Sequence, residues 1–294
     1  VCATFQEAPL ESDRSRDFPG SIQRSDHGGS NVVVVSSVPR WMLQTPLIKL
    51  FVYVAGPPPC QASSSIFVST GAEPMIRWFA RSGTEYVICG HGNLGAAYLS
   101  FLKALKVPVL FHSVFQTSPM KMTPSMEGSV VQELTAYESS GVDASLLPSA
   151  LLPALGIMQE NVVFAGLNDI GFVIFVNEAT AVKSLVPDFK ILAEVEARNV
   201  VVAAAAGRSD GGTGSDEGGV EFRCFCPRLG IDEDQVTGSA CVNLALIYAR
   251  LHEKYGTWVQ ARQQSKAGGE MRFQVPSRLE AKVLLSGQAR EIVP

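Results

Sequence analysis

The chain has 294 residues, a formal charge of −4, and 46% hydrophobic against 18% charged residues, which is enough for two domains of about 150 residues each with a sizeable core. The mildly acidic balance excludes the basic stripe that would hold a phosphate backbone or an anionic bilayer, so neither nucleic acid nor membrane is an expected partner. Apolar runs such as Leu50 to Ala55 and Val200 to Ala206 stop well short of the roughly 20 residues a membrane span needs, and a soluble protein is expected. Six cysteines (Cys2, Cys60, Cys89, Cys224, Cys226, Cys241) spread over this length are not the dense framework of a small secreted domain, so a reduced, cytoplasmic setting is expected. Cys224 and Cys226 on one strand would share a face as small half-buried hydrophobes. The histidines (His27, His91, His112, His252) lack metal-ligand spacing, and no metal and no cofactor are expected.

Residues 1–62 read as a divergent or disordered N-terminal segment. They hold a charged stretch from Glu11 to Arg16, a Gly/Ser turn from Asp26 to Ser30, and Pro57-Pro58-Pro59, all loop chemistry. Nothing there has the order of a secretory signal, and a start at Val1 suggests a fragment. Beyond it, short apolar, often β-branched runs predict strands at Tyr86 to Cys89, Val109 to Phe111, Asn161 to Phe164, Phe172 to Val176, Asn199 to Ala206 and Val220 to Phe225. Gly207 to Gly219 reads as a long flexible loop. One helix is expected from near Gly92 through Leu94, Ala97, Phe101 and Leu105, another from near Gly238 through Cys241, Leu244, Ile247, Tyr248 and Leu251. Both are apolar on more than one side and should be buried. The mixture predicts an α+β architecture.

The two helices follow an Arg-x-Phe at similar distances. Setting Arg77 against Arg223 and Phe79 against Phe225 places Cys89 opposite Gln235, His91 opposite Thr237, Gly92 opposite Gly238 and Asn93 opposite Ser239, which suggests an internal duplication. A helix start exposes unpaired N–H groups and the positive end of the helix dipole, and Gly or Ser there lets an anion approach. Two such starts facing one another would hold a carboxylate or the enolate-like oxyanion left when the adjacent carbon loses a proton. An acid/base group is then required beside them. Asp234, the last of the carboxylates Asp232-Glu233-Asp234, stands nearest the second helix start. In the first half His91 lies between Gly90 and Gly92, and imidazole titrates near neutral pH.

Cys89-Gly90-His91, then Asp234-Gln235-Val236-Thr237-Gly238-Ser239-Ala240, then Gln264-Ser265-Lys266-Ala267-Gly268-Gly269, and finally Val283 to Gly287, resemble in order the signature blocks of the phenazine-biosynthesis PhzF-like family, over roughly residues 63–292. The resemblance implies two similar lobes, each a curved, mostly antiparallel sheet around a central helix, as in diaminopimelate epimerase. It places the lobes at 63–140 and 141–294, the last strand returning to the first. It further implies cofactor-free, isomerase-type proton transfer on a small carboxylate-bearing metabolite, often by a homodimer. His91 and Asp234 match the family's cleft His and Asp, while Gly90, Gly92, Asn93, Thr237, Gly238 and Ser239 fall at its anion-binding turns.

Three departures stand beside this. Ser63-Ser64-Ser65-Ile66-Phe67 occupies the place of the family's Ser-Glu-Thr-Ala-Phe, so Ser64 replaces the principal acid/base glutamate. The opening Gly-Asn-Pro strand is absent. Gln235 and Ala267 replace a usual Pro and a frequent Arg. The alternative reading is therefore a catalytically inactive family member that binds a metabolite or a protein. A two-thiol epimerase is disfavoured because Gln235, not cysteine, stands opposite Cys89, and no P-loop motif is present.

Overall fold

The computed structural model describes residues 2–6, 31–35, 48–55, 62–69, 75–80, 85–86, 89–90, 92–94, 96–97, 108–114, 119–125, 129–207, 218–266 and 268–288. The chain divides into two compact units, Val1–Glu133 with Ser286–Pro294, and Leu134–Leu285. The division thus falls after Glu133, against an expected lobe boundary after residue 140.

In unit 1, β1 (Cys2–Gln6), β2 (Asn31–Val35), β3 (Ile48–Ala55), β4 (Ala62–Ser69), β5 (Ile76–Ala80) and β6 (Glu85–Tyr86) are neighbours in that order in one sheet. β1 runs parallel to β2 and the other pairs are antiparallel. Loop chemistry is therefore not the whole of residues 1–62: the Val32 to Val35 run and the β-branched residues of β3 favour a pleated ladder. Ser64 lies on β4 in register with Val54 on one side and Ala80 on the other. Helical residues between 90 and 97 form α1, with Gly90, Gly92, Asn93, Leu94, Ala96 and Ala97 all buried; the rest of the expected first helix, 98–107, lies outside the described residues. β7 (Val109–Phe111), β8 (Met120–Pro124) and β9 (Ser129–Thr135) continue as an antiparallel meander. Ile76, Trp78, Phe111, Met120 and Met122 close a core with almost no exposure.

Unit 2 begins with β10 (Ser140–Gly141), α2 (Leu151–Leu155), β11 (Val162–Asn168), β12 (Gly171–Val176), α3 (Ala179–Ser184), α4 (Phe189–Glu194) and β13 (Asn199–Ala205). It continues with β14 (Val220–Cys226), β15 (Ile231–Glu233), α5 (Gly238–His252), β16 (Val259–Gln263) and β17 (Gly269–Gln274), and ends within β18 (Lys282–Gln288), whose residues from Ser286 onward belong to unit 1. Its strands lie in the order β10-β11-β12-β13-β14-β16-β17, with β15 antiparallel on β14. β12 pairs parallel with β13, and β14 with β16. Every residue of β12 is buried, as are the first six of β13, so these strands read as continuous apolar runs rather than alternations. α2, α3 and α4 cover one side through Leu151, Leu155, Val182 and Leu192, packed with Ile174, Val202 and Phe225. Most of the expected Gly207 to Gly219 loop, residues 208–217, lies outside the described residues.

α5 is the central helix of this unit. Gly238 and the whole run Ala240 to Ala249 are buried, so its apolar surface extends all round, as the lack of a polar face predicted. Asn243 is a polar residue buried within that run, and the basic residues gather at the helix end, where Arg250 and His252 meet the negative pole of the dipole. Leu244, with 0% exposure, and Leu251, with 39%, mark the transition. Leu244→Ala is expected to cost about 2–5 kcal/mol in urea denaturation, and Leu251→Ala roughly 0.5 kcal/mol or less; equal losses would contradict this placement of the helix.

Candidate active site

The three consecutive carboxylates ahead of α5 have separate fates. Asp232 is exposed. Glu233 is gripped by Arg223, whose Nε and Nη2 donate to its two oxygens at 2.7 and 2.9 Å. The same guanidinium donates through Nη1 to the Leu185 carbonyl at 2.7 Å and lies 5.0 Å from the Phe225 ring centre. A planar fork used on all three sides this way locks β14 to β15. Asp234, one residue further, is turned toward the helix start instead.

There its Oδ1 accepts the Gln235 N–H at 2.8 Å and its Oδ2 the Thr237 hydroxyl at 2.8 Å. Thr237 is the residue preceding α5, and its side chain makes no capping bond to the helix. Threonine at this position ordinarily accepts from the first turn; here Thr237 Oγ1 donates to Asp234, so the first-turn N–H groups of α5 have no capping side chain. Gly238 is buried and Ser239 half-buried. The arrangement sets a partly exposed carboxylate beside donors able to hold an anion.

The turn is fixed from β16. Gln263, 1% exposed, donates from Nε2 to the Asp234 carbonyl at 2.6 Å and to Thr237 Oγ1 at 3.1 Å, and accepts the Thr237 N–H through Oε1 at 2.6 Å. Ser265 Oγ donates to the Gln235 carbonyl at 2.7 Å. Gly269 passes so close to Val236 that a Cβ there would stand 2.3 Å from Val236 Cγ2, and Gly268 adopts φ +68°, both requirements a glycine meets without strain. These contacts explain why the Asp234 block and the Gln264 to Gly269 block occur together; Ala267 lies outside the described residues.

Unit 1 presents a related start. Cys89 O accepts the Asn93 N–H at 3.0 Å, as Thr237 O accepts the Cys241 N–H at 3.1 Å. Cys89 is thus the counterpart of Thr237, and Gly90 of Gly238, which corrects the duplication register by two residues; the Arg-x-Phe match holds the strands, but the turns differ in length. Gln132, wholly buried on β9, donates to the Gly90 carbonyl at 3.1 Å, so a glutamine from a strand braces each helix start. Asn93 was expected to meet a ligand. Its side chain, with 0% exposure, instead accepts from Trp78 Nε1 at 2.9 Å and faces Met120 Sδ at 3.6 Å, so its amide is engaged in packing. Gly92 is buried, and His91 lies outside the described residues.

Sequence reasoning missed Gln263 and Gln132. Each occupies an inward position of an alternating strand, Gln263 after Val259 and Ala261, Gln132 between Val130 and Leu134. A polar residue in an inward register is the signal that was available.

Cys224 and Cys226 are buried on β14 with sulfurs 3.8 Å apart. The hydrogen bond between them and then burial push the Cys224 thiol well above its usual range, and Asp234 adds to this. Burial raises Cys241 as well. Beside Asp234 the thiol therefore stays neutral. For an acid raised in the folded state the stabilisation is complete below its unfolded pKa and declines as pH rises beyond it. Cys241→Ala is accordingly expected to flatten the loss of stability above about pH 9. In the native protein at pH 8, Cys224 and Cys241 should resist iodoacetamide and react only on denaturation, as read by peptide mass; rapid native alkylation would contradict their burial.

The family model for phenazine biosynthesis-like proteins, PhzC-PhzF, matches residues 60–293. An uncharacterized isomerase of Halalkalibacterium halodurans is 28% identical over 218 residues, 73% of this chain and 74% of that protein. Another, from Pseudomonas aeruginosa, is 28% identical over 234 residues, 78% and 79% of the two chains. Among solved structures, a phenazine biosynthesis protein of the PhzF family from Enterococcus faecalis superposes with a TM-score of 0.63 at 23% identity, over 77% of this chain and 79% of that one. A predicted epimerase from Pseudomonas aeruginosa gives 0.56 at 18% identity, over 77% and 81%. With the blocks around Cys89, Asp234 and Gln264 all inside the matched span, the chain belongs to the phenazine biosynthesis-like PhzC-PhzF family.

Proposed function

We propose that the protein is a cofactor-independent isomerase that moves a proton on a small carboxylate-bearing metabolite. The observation that carries this reading is Asp234, whose two oxygens accept from Gln235 and Thr237 beside an uncapped helix start. Asp234 serves as proton acceptor and donor, with His91 as the second proton-handling group. Gly238 and Ser239 hold the substrate carboxylate or the oxyanion that forms as the carbon acid ionises, because donors already oriented need no rearrangement as charge develops; Thr237, expected to join them, has both its donors engaged by Gln263 and Asp234 and holds the turn instead. Gly90 and Gly92 give the same close approach at α1, and Asn93 holds that helix start in place.

Ser64 favours a second reading. A serine hydroxyl is not a proton acceptor near neutral pH, and the position is the one at which the family resemblance implies a glutamate. A member without that group would retain the anion-holding turn and act as a metabolite- or protein-binding module.

One measurement separates the two. Incubated in D2O with a panel of small unsaturated or α-substituted carboxylates, the isomerase incorporates deuterium at carbon. Asp234→Asn is expected to lower that rate about 10²–10⁴-fold, the usual contribution of a positioned acid/base, and His91→Ala to lower it in the same sense. Binding without exchange, in the wild type and both variants, would establish the second reading.

A further inference from the structure

We propose that Gln263 is a positioning residue that sets the direction of the hydrogen bonds at the start of α5, so that Asp234 is presented to substrate as a proton acceptor. The inference rests on the isomerase reading for its catalytic consequence, but the hydrogen-bond direction stands on the structure itself.

The orientation of the Gln263 amide is dictated by two backbone groups. The Thr237 N–H can only donate, so the atom 2.6 Å from it is the amide oxygen; the Asp234 carbonyl can only accept, so the atom 2.6 Å from it is the amide nitrogen. That nitrogen, a donor, also lies 3.1 Å from Thr237 Oγ1. Thr237 Oγ1 must therefore accept from Gln263 and point its own proton elsewhere; of the two acceptors beside it, Asp234 Oδ2 at 2.8 Å and the Cys224 sulfur, the carboxylate is the stronger. The other oxygen, Oδ1, receives the Gln235 N–H, which likewise can only donate. Each link fixes the next, from Gln263 through Thr237 to Asp234, and the carboxylate is left with both oxygens accepting. Accepting at both oxygens is the role a proton-removing carboxylate plays.

Few charges adjoin Gln263 besides Asp234: Asp232 and Lys266, which flank the turn in sequence, are exposed to solvent. On β14, Cys224 is the neighbouring titratable group and is held neutral. On β17, the residue in register with Gln263 is Gly269, which has nothing to ionise. Glu233 is neutralised by Arg223, and Glu270 by Arg262.

Gln263→Glu tests the direction of the chain because a protonated carboxyl can replace the amide donor and an ionised one cannot. An ionised carboxylate would face the Asp234 carbonyl and draw the Thr237 hydroxyl away from Asp234. The introduced carboxyl must then keep its proton in the folded state, so its stabilisation is present at low pH and lost as pH rises. Melting temperatures measured from pH 5 to pH 8 are expected to show the variant close to wild type at pH 5 and falling by about 4 °C or more toward pH 8, while Gln263→Leu shows a deficit that does not change with pH. In the deuterium-exchange assay, the rate of Gln263→Glu relative to wild type should stay constant while the introduced carboxyl holds its proton and fall about tenfold per pH unit once pH passes its folded-state pKa. Thr237→Ser should keep the wild-type rate within about threefold, and Thr237→Val should lose about 10²-fold.

A pH-independent deficit in Gln263→Glu, wild-type stability of that variant at pH 8, or its failure to fold at pH 5 where wild type folds would each overturn the proposal. Folding at pH 5 but not at pH 8 would support it. If the wild type exchanges no deuterium, the isomerase reading fails, and the melting temperatures still decide the role of Gln263.

Discussion

A buried helix must begin somewhere, and its first-turn N–H groups require partners. Along α5 that requirement is left open: Thr237 does not cap the helix because its hydroxyl is committed to Asp234. The remainder of unit 2 can be understood as support for this open end. β14 and β16 run parallel and carry Cys224 and Gln263 to the same turn. Gly268 and Gly269 let the chain close over Val236. The Arg223–Glu233 pair fixes β15, and with it the residue that precedes Asp234. Both partners are less than one-fifth exposed, so removing one would strand a largely buried charge, which is more costly than losing an exposed pair.

The cost of this design is local and its return is chemical. A capped helix start would be more stable by about 1 kcal/mol, but its donors would be less available to an anion. Gln263 supplies part of the missing order from outside the helix, fixing the turn with three hydrogen bonds from a side chain that is itself enclosed. Gln132 makes a comparable brace on Gly90 in unit 1. The duplicated element is thus more than a strand and a helix; it includes a strand glutamine that holds the helix start.

Much of the scaffold was legible in the sequence because apolar pattern governs it. α5 begins at Gly238 as expected, and β7, β12, β13 and β14 fall on the expected short, largely apolar runs. The register of the duplication was not legible, since matching Arg-x-Phe on two strands says nothing about the lengths of the turns that follow. Asp234 was singled out by its position next to a Gly-Ser helix start, but the separate fates of Asp232, Glu233 and Asp234 depend on which strand each faces, and that is set by tertiary packing. Gln263 escaped for the opposite reason: among half-polar strand residues its identity is ordinary, and only its inward register makes it exceptional. Asn93 shows the limit of motif reasoning, because the glycine-flanked turn suggested a ligand while Trp78 claims its oxygen.

The central claim is that the start of α5 holds a carboxylate beside Asp234. The most direct test follows backbone amide shifts by 1H–15N NMR while sodium acetate is titrated against a chloride control at constant ionic strength. Saturable shifts concentrated at Gly238 and Ser239, reduced when Gln263 is replaced by leucine, are the predicted result. Shifts that are absent there, or spread evenly over the surface and matched by chloride, would contradict the account.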